Sequence, residues 1–186
     1  TDFHDFLLIR HEEIGFLIER SSFFASVSLE HADPVAIAPS GDDFVHPEYL
    51  NKEIHYNDET LLLFDLDVYL STLFGARDPG ELKIALISNT GRFGEEHRSF
   101  FRRLAERLNP RASDSFLAFK VSSQAEVHRV PLDQLRLFPN RIREKLISEG
   151  ILGCRFFGKG KVDFILDLER IVFTNLSGAE IGVKTS

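Results

Sequence analysis

Leu63-Phe64-Asp65-Leu66-Asp67 and Ile165-Leu166-Asp167-Leu168-Glu169 lie about 100 positions apart and share one pattern, an apolar strand-like run that passes into Asp-Leu-acid. An earlier pair repeats in the same order: Phe16-Leu17-Ile18-Glu19-Arg20-Ser21-Ser22 and Phe116-Leu117-Ala118-Phe119-Lys120-Val121-Ser122-Ser123. Two echoes at one spacing predict two copies of a small β unit. A β unit of this size exposes its edges and buries little alone, so two copies should pack on each other.

Composition fits that expectation. A chain of 186 residues that is 43% hydrophobic and 27% charged predicts one folded domain with a sizeable core, and excludes general disorder. Phe occurs 18 times while Met and Trp are absent, so the core must be built from Phe, Leu, Ile and Val. The net charge of -7 does not invite a phosphate backbone, and nucleic acid is not an expected partner. No apolar run reaches the roughly 20 residues that span a bilayer, so no membrane insertion is expected. The single cysteine, Cys154, allows neither an internal disulfide nor a thiolate cage, and the expected compartment is the reducing cytoplasm.

Apolar runs at 6–9 and 15–18 predict a hairpin. Residues 35–38 read as a further strand, stopped by a turn cluster at 39–43. Residues 44–60 are polar and read as a surface loop. The run 61–64 predicts a buried strand, after which Asp65 caps a short helix closed by Gly75. Residues 83–88 read as a strand. From 95 to 108, Phe100, Leu104 and Leu108 recur every four residues, predicting a helix whose other face carries Arg98, Arg102, Arg103 and Arg107. Strands at 116–121 and 126–130 follow, then a helix opened by Pro139 and stopped by Gly150. A last strand pair, 151–157 and 162–168, turns at Gly158-Lys159-Gly160.

The string with most catalytic character is Leu61-Leu62-Leu63-Phe64-Asp65-Leu66-Asp67-Val68, an apolar strand ending in Asp-x-Asp. It resembles the first motif of haloacid dehalogenase-like phosphatases. That resemblance implies attack on phosphorus by Asp65, proton handling by Asp67 and a magnesium ion, with Ser88 as phosphate-binding hydroxyl. The later paired acids of that family are missing, Asp163 and Asp167 being the only candidates, and a capped strand-to-helix junction is the favoured explanation of Asp65. Seven histidines are scattered without a metal-ligand spacing and read as surface residues. Cys154, in an apolar run, reads as a buried inert thiol. No catalytic, cofactor-binding or metal residue is therefore assigned.

A second resemblance covers most of residues 3–173. Val121-Ser122-Ser123-Gln124-Ala125-Glu126-Val127-His128-Arg129-Val130-Pro131, Leu137-Phe138-Pro139, Gly150-Ile151-Leu152-Gly153-Cys154 and Phe164-Ile165-Leu166-Asp167-Leu168-Glu169-Arg170-Ile171 together resemble a CheW-like domain, the coupling module of bacterial chemotaxis. The resemblance implies a mainly β fold of two five-stranded SH3-like barrels on a shared core, with interleaved halves in a single domain over 1–186. It also implies a non-enzymatic adaptor. Its partners would be a histidine kinase regulatory domain, a chemoreceptor tip or another CheW-like domain. Two features depart from the family. The stretch 50–60 lacks the Asn-Leu-Arg-Gly segment and offers Tyr56, Asp58 and Glu59 instead. Residues 91–114 add a charged helix where the family has a tight turn. Arg98, Phe101, Arg102 and Arg103 of that helix complete the expected partner-binding set.

Overall fold

The computed structural model describes residues 2–37, 48–75, 83–122 and 125–185. The turn expected at 39–43 lies outside the described residues. The first half holds β1 (Phe3–His11), β2 (Ile14–Glu19), β3 (Ala25–Ser28), β4 (Val35–Ala36), β5 (Lys52–Tyr56), β6 (Glu59–Asp65) and α1 (Leu66–Phe74). The second holds β7 (Ile84–Asn89), α2 (Glu95–Leu108), β8 (Ala112–Val121), β9 (Glu126–Pro131), α3 (Asn140–Ser148), β10 (Ile151–Phe157), β11 (Lys161–Leu166) and α4 (Leu168–Thr185). The strands form a five-stranded sheet, β10-β11-β2-β1-β9, and a six-stranded sheet, β3-β7-β8-β6-β5-β4, whose sixth member has two residues. The protein is thus mainly β, with two small barrel-like units and a helix between β7 and β8, as expected.

Each sheet draws on both halves of the chain. The β1–β2 hairpin is completed by β9, β10 and β11, and the β7–β8 pair by β3, β5 and β6. The echoed segments meet as the parallel contacts of the two sheets. Phe164 and Leu166 lie opposite Phe16 and Ile18, and Leu62 and Phe64 opposite Leu117 and Phe119. This register makes Leu117 the counterpart of Phe16, one place from the alignment of letters that pairs Phe16 with Phe116. Since alternate strand residues face opposite sides, the difference decides burial. Phe16 sits in the shared core, whereas Phe116 packs on the other face against the second barrel's interior.

The same alternation builds three apolar clusters. In β6, Leu61 and Leu63 point into the second barrel while Leu62 and Phe64 enter the seam between sheets. In β2, Leu17 fills the first barrel while Phe16 and Ile18 join that seam. Strands buried on both faces have no polar side to show, which is why they read as unbroken apolar runs. Aromatic rings line the seam, with Phe16 against Phe74 and Phe64 between Tyr69 and Phe119.

Asp65 caps α1 by accepting from the Val68 amide at 3.1 Å, and Gly75 ends the helix at φ +67°. Asp167 does the same for α4, accepting from the Arg170 amide at 3.2 Å. That last helix was not expected. The loop expected over 44–60 is also corrected: Tyr49 and Leu50 are buried, and β5 and the start of β6 occupy 52–60. The Asn57-Asp58 turn that joins them has both residues at positive φ, a conformation these two types tolerate.

Asp163 of β11 is fully buried, and its carboxylate accepts from the Arg155 guanidinium at 2.6 and 3.2 Å. The Arg10 guanidinium lies 3.8 Å from its other oxygen. Between them, on β2, stands Gly15, where a Cβ would fall 1.9 Å from that oxygen. Gly15→Ala should therefore cost about 3 kcal/mol or more by urea unfolding, since it displaces a buried, paired carboxylate. Gly75→Ala, with open space around its Cβ but a left-handed backbone, should cost about 1 kcal/mol. Equal losses would contradict the close approach at Gly15.

Candidate interaction site

The two Asp-Leu-acid junctions hold their second acids differently. Asp67, at the start of α1, accepts from the Ser122 hydroxyl at 2.5 Å and hydrogen-bonds His11 Nε2 at 3.0 Å. Both members of the His11–Asp67 pair are buried, 0% and 1% exposed. This corrects the surface reading of His11. Its strand ends beneath α1, and a ring buried there keeps a polar partner because an unpaired one would be costly. The junction is closed.

Glu169, the counterpart of Asp67, is 30% exposed. Its carboxylate accepts from the Gly94 amide and lies 2.9 Å from His97 Nδ1, both at the N-terminal end of α2. The His97 ring stacks on Phe173 with centroids 3.9 Å apart, and Phe100 meets Phe173 edge-on. These contacts fasten α2 to α4. The reason for the contrast is topological. The β1–β2 connection is the short Glu12-Glu13 turn, while the matching β7–β8 connection contains the whole of α2. Beside Glu169 the longer connection leaves a groove of about 500 Å³. Phe6, Phe93, Leu166 and Leu168 form its apolar wall, and its rim carries Arg92, Asp167 and the His4–Glu19 pair at 3.2 Å. An apolar floor with a polar rim is the anatomy of a protein contact.

The expected partner-binding residues divide. Arg98, Arg102 and Arg103 lie exposed along α2, with Arg102 paired to Asp114 at 3.1 Å. Phe101 is corrected: it is 2% exposed, packed into the shared core with Leu104 and Ala105, and offers no surface. Asp58 and Glu59 are exposed at the β5–β6 turn, and Tyr56 is half-buried against the second barrel's interior. This turn leads into Thr60, which pairs with Ala112 just after α2, so it lies beside the C-terminal end of the helix. Asn109 donates to Glu53 at 2.7 Å across the same junction. The groove itself was not anticipated. The echo carried the one signal for it, since Glu169 stands where Asp67 is enclosed.

Asp65 and Asp67 do not form the open carboxylate pair that the phosphatase reading requires. Asp67 is enclosed by His11 and Ser122, and Asp65 is engaged as the α1 cap with Lys120 at 3.4 Å. Burial pushes the Asp65 carboxyl above its ordinary value, despite the lowering by the Val68 amide and Lys120. A nucleophilic carboxylate needs the charged form that this setting disfavours. Ser88 is buried within β7. Among the described residues there is no cluster of three or more metal-ligating side chains, and no helix is long and apolar enough to cross a membrane. Cys154 is buried as expected, and burial raises its thiol.

The contrast between the junctions predicts unequal costs. His11→Ala leaves Asp67 buried with a lost partner and should destabilise by about 3 kcal/mol or more in urea unfolding. Glu169→Gln, on a partly exposed pair, should cost under about 1 kcal/mol. The reverse order would contradict the closed and open assignments.

No family model matches the sequence, and no curated protein sequence matches it. The fold has a solved counterpart. The crystal structure of the scaffolding protein TtCheW from Thermoanaerobacter tengcongensis is similar over 88% of this chain and 88% of its own, with a TM-score of 0.52 and 12% identity. At that identity the likeness is one of fold, and the chain shares the two-unit β architecture of a CheW scaffold.

Proposed function

We propose that the protein is a non-enzymatic adaptor of chemotaxis-type signalling in the cytoplasm, joining a histidine kinase regulatory domain to a receptor tip or to another CheW-like domain. The observation that carries this reading is the fold match to a scaffolding protein across nearly the whole chain. The open groove beside Glu169 supports it, because apolar walls with a charged rim suit a partner's side chains and need no catalytic residue. The contact surface comprises that groove, the exposed arginines Arg98, Arg102 and Arg103, and the Tyr56–Glu59 turn. Phe101 supports the helix from inside.

A calorimetric titration with the regulatory domain of a chemotaxis kinase from the same genome should show saturable micromolar binding, about −8 kcal/mol. Combined Arg98→Glu, Arg102→Glu and Arg103→Glu should weaken it by about tenfold or more. Absence of heat at high concentration would remove the coupling role. Unchanged affinity in the triple variant would remove α2 from the contact.

A further inference from the structure

The correspondence between the halves leaves one sheet edge less covered than its counterpart. In the six-stranded sheet the chain itself covers the outer edge of β5. Val35 pairs with Glu53 and Ala36 with Lys52. The Ile37 amide donates to the Asn51 carbonyl at 2.7 Å, and the His55 amide to the Ala32 carbonyl at 2.9 Å. In the five-stranded sheet β10 stands in the place of β5, and residues 133–137 follow β9 as 32–36 follow β3. Here the cover shrinks to a single bridge. The Arg136 amide donates to the Cys154 carbonyl at 2.8 Å, and the Cys154 amide to the Arg136 carbonyl at 2.9 Å. The Asp133 carbonyl, counterpart of that of Ala32, accepts from the Arg136 guanidinium instead.

Cys154 turns both backbone groups outward to make this bridge, so Phe156, two places on in an antiparallel ladder, turns its own outward as well. Among the described residues the Phe156 amide has no backbone partner there, whereas its counterpart His55 is satisfied. Asp133, Gln134, Arg136 and Phe156 line a depression of about 380 Å³ along this edge. Phe156 is 71% exposed. A bare strand edge beside an exposed ring is a template for another strand.

Charge selects the occupant. Residues 133–161 carry seven basic against three acidic side chains, while the rest of the chain carries 15 against 26. Arg136, Lys159 and Lys161 are exposed at this corner. A second copy pairing edge to edge would set basic corner against basic corner. We propose that the outer edge of β10 is a strand-docking site for an extended acidic segment of a partner protein, which pairs its backbone with Phe156 and lays an apolar side chain on the Phe156 ring. The site uses neither the α2 face nor the β5–β6 turn, and stands independently of the adaptor reading.

The test uses the full chain and a fluorescein-labelled decapeptide of alternating Val and Glu, with the Val and Lys decapeptide as control. Anisotropy should show saturable binding of the acidic peptide, with the basic one weaker by about tenfold or more. Peptide addition should slow hydrogen exchange at the Phe156 amide. Phe156→Pro, which removes that amide, and Phe156→Glu, which preserves a backbone donor at an exposed position, should each weaken the acidic peptide by about tenfold. Combined Lys159→Glu and Lys161→Glu should invert the peptide preference. No binding at millimolar peptide, or equal binding by the wild type and Phe156→Glu, would overturn the proposal. So would a dimer, seen by sedimentation without peptide, that Phe156→Glu dissolves.

Discussion

Burial of the central strands on both faces is the constraint from which the rest of the structure follows. Each barrel fills its interior with one set of alternate side chains, and the other set must still leave water. Phe16, Ile18 and Leu166 on one side, and Leu62, Phe64, Leu117 and Phe119 on the other, have the seam as their only apolar destination. At about 1.5–3 kcal/mol for each large apolar side chain, the seam outweighs any single polar contact in the molecule. Exchange of strands between the halves makes that seam intrachain, because β6 completes a sheet with β8 and β11 completes one with β2.

The two fully buried carboxylates of such a core sit where partners converge. Asp67 meets His11 and Ser122, and Asp163 meets Arg155 across a position that only glycine can occupy. These pairs fix which residues face which, and their burial removes them from chemistry. The surface differs because the two halves differ. α2 stands where the other half has the Glu12-Glu13 turn, so one junction is sealed around Asp67 and the other opens as a groove beside Glu169. The same comparison covers β5 and leaves β10 with a single bridge. An even, twofold fold thus acquires distinct faces through departures from its own repeat.

The sequence showed the repeat, the buried strand at 61–64, the Asp65 cap with its Gly75 stop, and α2, because each rests on local pattern. Besides the groove and the strands at 52–60, four features escaped it. The one-place shift that pairs Phe16 with Leu117 is set by long-range pairing, and both alignments join apolar letters. α4 was written in the echo itself: if Asp65-Leu66 opens a helix, so does Asp167-Leu168. His11 is a lone histidine in sequence and becomes a buried partner only when Asp67 is brought to it from 56 positions away. Phe101 belongs to a helix face whose edge cannot be placed by periodicity alone, since it depends on how far α4 and β8 reach around it.

Hydrogen exchange under native conditions tests most directly whether the two sheets form one structure through their shared seam. The interleaved seam predicts that the slowest amides of β2 and β11 and those of β6 and β8 open with the same free energy, and lose the same amount on one destabilising substitution at Phe64. Opening of one sheet at clearly lower energy, with the other unaffected by that substitution, would contradict the account.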